Sequence, residues 1–224
     1  MLELYHGSRR IVDFPMFGEG NPNNDYGLGF YCTEHIELAK EWACADEQGG
    51  FANRYLLDDS QLSFCRLGGE EYHILNWLSI LLKNRTFSLS EGLPSEARDY
   101  LLETFLPPYG QFDVVTGYRA DDSYFGFATD FLNGTLSLQQ LSRAMRLGKL
   151  GEQVVLMSPK AFAAIHFQEA VEAPGTLYYA RRVERDTSAR AEFRRMRRED
   201  RAKDGIYILD ILRQNWKNDD PRLR

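Results

Sequence analysis

Two short segments place polar or aromatic side chains near the ends of predicted strands, where a ligand can reach them. In the first, His6 ends a strand directly before Gly7 and Ser8. An imidazole can donate or accept a hydrogen bond, and a glycine lets a flat ligand approach the backbone closely. In the second, Gly27 and Gly29 permit a tight turn, and Tyr31 then leaves the strand on the side opposite to its neighbour. Both patterns predict contacts with a planar ligand.

A third segment opens the most apolar strand of the chain, residues 154–156. Glu152 and Gln153 come directly before it. Because side chains alternate along a regular strand, these two residues point to opposite faces, and only one of them can reach a given site.

Together and in this order, the segments resemble motifs of the ADP-ribosyltransferase superfamily, in the branch of diphtheria toxin and poly(ADP-ribose) polymerase. In that branch a strand ends in His-Gly, Gly-x-Gly-x-Tyr precedes a helix, and a glutamate or another residue opens a late strand. A closer resemblance is to a family of uncharacterised bacterial transferase-like proteins, and it extends to residues 112–117, 120–122, 153–155 and 204–210. The resemblance therefore covers nearly the whole chain.

The resemblance implies that the protein binds NAD⁺ as its substrate and transfers ADP-ribose. His6 would hydrogen-bond the adenosine ribose, the Gly7 backbone would hold the nicotinamide carboxamide, and Tyr31 would stack on the nicotinamide ring. Ser8 and Gly29 would complete the contacts with NAD⁺. Stacking and a two-point amide clamp orient the bond to be broken, which is a proximity effect.

At the third position the sequence departs from the best-known members, which have a glutamate there. Alignment of the late strand places Gln153 in that position, with Glu152 one residue early. A glutamine can orient the ribose, but it can neither act as a general base nor carry negative charge. The departure favours transfer of a single ADP-ribose over chain elongation. Glu152 and Asp122 are then the candidate bases, although Asp121 and Asp122 equally suit a helix N-terminus.

Local patterns predict the elements that must position these residues, and we expect one α+β domain over residues 1–224. Apolar spacing predicts helices at 36–43, 70–84, 94–105, 121–132, 137–147, 178–203 and 205–216. Strands are predicted near residues 3–6, 112–116, 153–157 and 165–171, with a hairpin formed by 54–57 and 62–67. The resemblance implies a split β-sandwich of small antiparallel sheets around the NAD⁺ cleft. Helical insertions (about 70–106) and C-terminal helices (about 178–216) would decorate this sandwich.

Bulk properties exclude several other classes of protein. The chain has no apolar run near the roughly 18 residues of a membrane span and no leader pattern, so we expect no membrane association and a cytoplasmic location. The four histidines lack i, i+4 pairing and the three cysteines lack paired spacing, which predicts neither a metal site nor disulfides. A net charge of -6 disfavours a general nucleic-acid binder, although arginines crowd residues 181–201.

The sequence thus predicts a mono-ADP-ribosyltransferase that modifies a macromolecular acceptor, either a protein or RNA/DNA. By analogy with small bacterial relatives, it would be an intracellular toxin of a toxin–antitoxin or phage-defence system, neutralised by an antitoxin. Two alternatives remain open: an NAD⁺ glycohydrolase, and a non-catalytic NAD-binding or interaction module.

Overall fold

The computed structural model of the chain describes residues 1–120, 122–145, 151–199 and 205–223, with side chains for all of these except 122–124 and 196–199. It is a mixed α/β protein with open sheets, which is compatible with the expected α+β class. The strands are β1 (Leu2–Ser8), β2 (Phe30–Cys32), β3 (Gly50–Leu57), β4 (Phe64–Arg66), β5 (Val114–Tyr118), β6 (Glu152–Leu156) and β7 (Ile165–Ala173). The helices are α1 (Ile36–Ala43), α2 (Ile74–Asn84), α3 (Leu93–Phe105), α4 (Asp122–Leu132), α5 (Leu138–Ala144), α6 (Pro159–Ala163), α7 (Gly175–Glu199) and α8 (Ile208–Arg213).

Two small sheets organise the strands. The first has the order β1-β3-β7 and is antiparallel throughout, whereas the second has the order β2-β6-β5-β4. In the second sheet β4 and β5 are parallel, so the expectation of purely antiparallel sheets is wrong for this pair. The predicted hairpin is also wrong, because β3 and β4 belong to different sheets.

The two sheets face each other across a shared apolar core. Leu4 and Tyr55 from the first sheet pack with Phe30 and Val154 from the second, and all four are buried. A direct link joins the sheets at one edge, where the backbone N–H groups of Tyr5 and Thr33 donate to each other's carbonyl oxygens at 2.8 and 2.9 Å. This link brings the end of β1, which carries His6, next to β2, which carries Tyr31.

A second, larger core lies beneath helix α2, which buries every residue from 75 to 82. The sequence predicts this helix over residues 70–84, but α2 begins at Ile74, directly after His73. Its Trp77 indole donates a hydrogen bond to the Tyr26 hydroxyl at 3.0 Å. Tyr26 in turn donates to the Tyr118 carbonyl at 2.7 Å. These hydrogen bonds join the helical insertion (about 70–106) to the end of β5 and to the loop before β2.

The Ser158-Pro159 pair in the sequence predicts an N-cap followed by the first residue of a short helix, and the structure confirms it. Ser158 accepts a hydrogen bond from the Ala161 N–H at 3.1 Å, and Pro159 is the first residue of α6. The serine oxygen accepts a hydrogen bond from an N–H of the first turn, and the proline has no N–H that could be left unpaired. The cap fixes the direction in which the chain leaves β6, the strand that carries Gln153.

Gly7 packs against α1 so closely that a side chain there has no room. A Cβ atom on Gly7 would lie 2.0 Å from the Ala39 carbonyl oxygen and 2.8 Å from the Ala43 nitrogen. We expect Gly7→Ala to lower the free energy of unfolding by about 1–3 kcal/mol, because overpacking forces the helix to move. Urea denaturation measures the effect. The matched control is Gly126→Ala, since a Cβ on Gly126 meets nothing within 4 Å; equal stability of the two variants would contradict the packing argument.

Candidate functional site

His6 is held in one orientation by the backbone of β2. Its Nδ1 lies 2.7 Å from the Tyr31 carbonyl oxygen, and its ring packs on Phe30 with 4.5 Å between centroids. A carbonyl only accepts, so Nδ1 carries the proton and Nε2 of the neutral ring is left as an acceptor. Burial lowers the pKa of His6, more than the Tyr31 carbonyl raises it, which favours this neutral form.

The neutral state of His6 predicts a pH dependence of stability. The folded-state pKa lies below the usual 6.5, so the unfolded chain binds the proton first as pH falls. The contribution of His6 is thus fully present above about pH 6.5 and decreases below it. We expect the difference in unfolding free energy between wild type and His6→Gln to shrink below this pH, by up to about 1.4 kcal/mol per unit. Denaturation at pH 7.5, 6.0 and 5.0 measures it; a difference that stays constant would contradict a neutral His6.

Tyr31 is anchored at its hydroxyl to the glycine loop that precedes β2. The hydroxyl donates to the Gly27 carbonyl at 2.6 Å and accepts from the Tyr26 N–H at 3.1 Å. Gly27 has a φ of +82°, as the turn prediction allowed. Gly29 has an ordinary φ, but a Cβ there would lie 2.7 Å from Val155. The two glycines therefore serve different purposes, one for the turn and one for contact with β6.

Gln153 lies at the start of β6 beside a buried carboxylate. Its Nε2 is 3.3 Å from Oδ2 of Asp25, and its Oε1 is buried without a hydrogen-bond partner. Asp25 also accepts from the Ala120 N–H at 2.9 Å. Two guanidinium nitrogens of Arg85 lie 2.9 Å from its Oδ1. Burial raises the pKa of Asp25 more than Arg85 and Ala120 lower it.

These groups meet in one cleft of about 450 Å³. We call it the β1–β6 cleft; it is lined by residues of β1, β2, β6, α1, the loop 10–29, Arg85 and residues 119–120. Four predicted site residues line it, namely His6, Gly29, Tyr31 and Gln153. Residues about 150 positions apart in the sequence thus share a single concave surface.

The comparisons with known proteins give a family for the chain. A family model described as a protein of unknown function (DUF3990) matches residues 2–167, about three quarters of the sequence. The chain belongs to the DUF3990 family. No curated protein and no solved structure matches it. The DUF3990 match includes every residue that lines the β1–β6 cleft, whereas α7 and α8 lie beyond it.

Gly7 and Ser8 of this DUF3990 chain border the cleft without lining it. The Ser8 hydroxyl donates to the Arg10 carbonyl at 2.6 Å and accepts from the Asn53 side-chain amide at 2.9 Å, so it shapes the turn after β1. The backbone N–H and C=O of Tyr5 bind Thr33 rather than β3. Along an edge strand the N–H and C=O of every second residue point away from the partner strand, so those of Gly7, two residues after Tyr5, also point away from β3. They point to the side of the sheet on which β2 lies.

The two candidate bases are placed differently. Glu152 is exposed on the face of β6 opposite to Gln153, and a Cβ on Gly68 would lie 2.8 Å from its Oε1. It does not line the β1–β6 cleft. Asp121 and the side chain of Asp122 lie outside the described residues. The carboxylates on the described wall of the cleft are those of Asp25 and Glu19.

Sequence reasoning missed several polar or aromatic residues of the cleft, among them Arg10, Asp25, Trp42, Arg85 and Arg119. Asp25 comes two residues before Gly27, so its position beside the glycine turn was an available signal. Trp42 is in the last turn of α1, and the Arg119 guanidinium lies over its ring at 4.6 Å from the centroid. Arg85 follows α2, which was expected only to decorate the fold.

The described residues contain no cluster of three or more His, Cys, Asp or Glu side chains able to hold a metal ion. Every described helix is too short or too polar to cross a membrane. The three cysteines are buried and unpaired.

Proposed function

We propose that the protein is a mono-ADP-ribosyltransferase that binds NAD⁺ in the β1–β6 cleft. The observation that carries this proposal is the meeting of His6, Tyr31 and Gln153, from three distant segments, on the wall of one cleft. These are the positions at which the sequence resembles the transferase superfamily. Two open sheets with a shared core are compatible with the split sandwich of that superfamily.

The size and charge of the cleft suit a dinucleotide. A volume of about 450 Å³ is within the usual range for small-molecule sites, which is roughly 300–1,000 Å³. Arg10 and Arg119 line it, and a guanidinium pairs well with phosphate oxygens. Asp25 and Arg85 neutralise each other, and Glu19 is exposed. The diphosphate of NAD⁺ would therefore lie near Arg10.

The individual groups suit the parts of NAD⁺ that the resemblance assigns to them. The Nε2 acceptor of His6 would take a hydrogen bond from a ribose hydroxyl. The outward N–H and C=O of Gly7 would bind the nicotinamide carboxamide, which needs one donor and one acceptor. The Tyr31 ring would stack on the nicotinamide. Gln153 would orient the second ribose.

In the proposed reaction the bond between the ribose C1′ and the nicotinamide nitrogen breaks, and nicotinamide leaves with the electron pair. A nucleophilic atom of the acceptor forms the new bond to C1′ and releases its proton to water. The chain's residues fix the dinucleotide so that this carbon faces the acceptor, which is a proximity effect.

Incubation with labelled NAD⁺ and a bacterial lysate tests the proposal. We expect label in macromolecules, which separate protease or nuclease digestion assigns to protein or to nucleic acid. His6→Ala should reduce labelling by about tenfold or more, because its ribose hydrogen bond is lost. Release of free ADP-ribose without labelled acceptor would instead identify an NAD⁺ glycohydrolase. Binding of NAD⁺ with no turnover would identify a non-catalytic module, and retained labelling in His6→Ala would reject the site.

A further inference from the structure

Asp25 is the carboxylate most firmly fixed in the wall of the β1–β6 cleft. Its side chain is 3% exposed, and the loop that carries it is held by the Tyr26 hydroxyl on Tyr118 and by the Asn84 amide on the Asp25 carbonyl. Arg85, from the end of α2, supplies its charge partner. A buried carboxylate with this many partners is part of a preorganised site.

The acceptor capacity of Asp25 is filled by its neighbours. An ionised carboxylate has about four lone-pair sites. Two nitrogens of Arg85 occupy Oδ1, while the Ala120 N–H and Gln153 Nε2 occupy Oδ2. A carboxylate in this state is badly placed to take a proton from an acceptor. It is well placed to hold its neighbours in one orientation.

The orientation of Gln153 follows from this contact. A carboxylate donates no hydrogen, so the end of the amide that faces Asp25 must be the NH₂ group. The carbonyl oxygen is then the other end, and that is the buried Oε1 with no partner. An unsatisfied buried acceptor costs about 1–3 kcal/mol, and a donor brought by a ligand would remove that cost. A ribose hydroxyl is such a donor.

We propose that Asp25 is a positioning residue that holds the Gln153 amide with its NH₂ toward the carboxylate and its oxygen available to a ribose hydroxyl of bound NAD⁺. The inference rests on the proposed function. It explains how a glutamine takes the position of a glutamate, because the amide oxygen presents the same hydrogen-bond polarity as one carboxylate oxygen. The role of Gln153 then depends on Asp25.

The inference predicts a result opposite to the one expected if Gln153 only lacked the function of the glutamate. Gln153→Glu restores the residue of the best-known transferases, yet it places two carboxylates about 3.3 Å apart. We expect its kcat for NAD⁺ cleavage to fall at least tenfold at pH 7.5. Asp25→Asn removes the orienting acceptor and should lower kcat 10- to 100-fold, with a change in KM below about threefold.

The double variant Asp25→Asn/Gln153→Glu supplies the rescue. The new amide can donate to the new carboxylate, which restores this hydrogen bond with its polarity reversed, while the Ala120 N–H loses its acceptor. We expect a kcat within about tenfold of wild type and at least tenfold above the product of the single effects. Multiplicative single effects, or a Gln153→Glu variant more active than wild type, would overturn the proposal. Thermal unfolding of each variant checks folding.

A measurement without turnover separates this inference from the proposed function. The side-chain ¹⁵N resonance of Gln153 should shift strongly in Asp25→Asn, and Arg98→Ala, on an exposed face of α3, serves as the control. If wild type binds NAD⁺ without cleaving it, the shift of the Gln153 resonance in Asp25→Asn remains the test of the amide orientation. An unshifted resonance overturns the orientation of the amide, and a wild type that neither cleaves nor binds NAD⁺ overturns the assigned ligand. If Asp25→Asn does not fold, the kcat or Kd of Gln153→Glu relative to wild type decides.

Discussion

Tyr31→Ala is expected to lower the rate of NAD⁺ cleavage by about 100-fold. Stacking of an aromatic side chain on a base contributes about 1–3 kcal/mol, which corresponds to roughly 5- to 150-fold in affinity or rate. The same substitution frees the loop, because the Tyr31 hydroxyl holds the Gly27 carbonyl and the Tyr26 N–H. Both effects act on the same cleft, and release of nicotinamide measures them together.

Tyr31→Phe distinguishes the two effects. Phenylalanine keeps the ring and loses only the hydroxyl, so we expect a decrease of about tenfold or less. Circular dichroism and thermal unfolding show whether each variant retains the wild-type fold. Equal activity of Tyr31→Ala and wild type would mean that the ring does not contact the substrate.

Arg85→Ala is expected to give the largest loss of stability, about 3 kcal/mol. It leaves the Asp25 carboxylate buried without its guanidinium, and breaking a buried pair by removal of one partner typically costs about 3–5 kcal/mol. We take the lower end of this range because the Arg85 side chain is 26% exposed, so the pair is only partly buried. Urea denaturation at pH 7.5 measures the effect. Arg98→Ala is the matched control, because that arginine is exposed and forms an exposed ion pair with the neighbouring Asp99.

The loss should depend on pH in a defined direction. Burial already raises the pKa of Asp25 above its usual value, and Arg85 lowers it. Without Arg85 the folded-state pKa rises further above that of the unfolded chain, so the folded state binds the proton more readily as pH falls. The stability gap between wild type and Arg85→Ala should therefore narrow from pH 7.5 to 5. A gap that widens would show that the charge of Asp25 is not what Arg85 offsets.

Local signals predicted the elements that carry the site. The apolar run of residues 154–156 is buried in β6, and the Ser158-Pro159 pair caps and begins α6 as expected. The motif that includes His6 lies in β1. These features depend on a few neighbouring residues, which is why they are visible in the sequence.

Long-range pairing was not predictable in the same way. The turn at residues 58–60 suits any reversal of direction, and whether β4 pairs with β3 or with β5 depends on contacts some 50 residues apart, such as the Asp113 N–H on the Ser63 carbonyl at 3.1 Å. The role of Asp25 depends on Arg85, 60 positions later, and on Gln153, 128 positions later. No local pattern indicates such a contact.

Calorimetric titration of carba-NAD⁺, a non-hydrolysable analogue of NAD⁺, tests the central assignment most directly. Wild type should bind one molecule, His6→Ala and Tyr31→Ala should bind at least tenfold more weakly, and Glu152→Ala should match wild type because Glu152 faces away from the cleft. No measurable binding to wild type, or equal binding by all four proteins, would contradict the assignment of the cleft to NAD⁺.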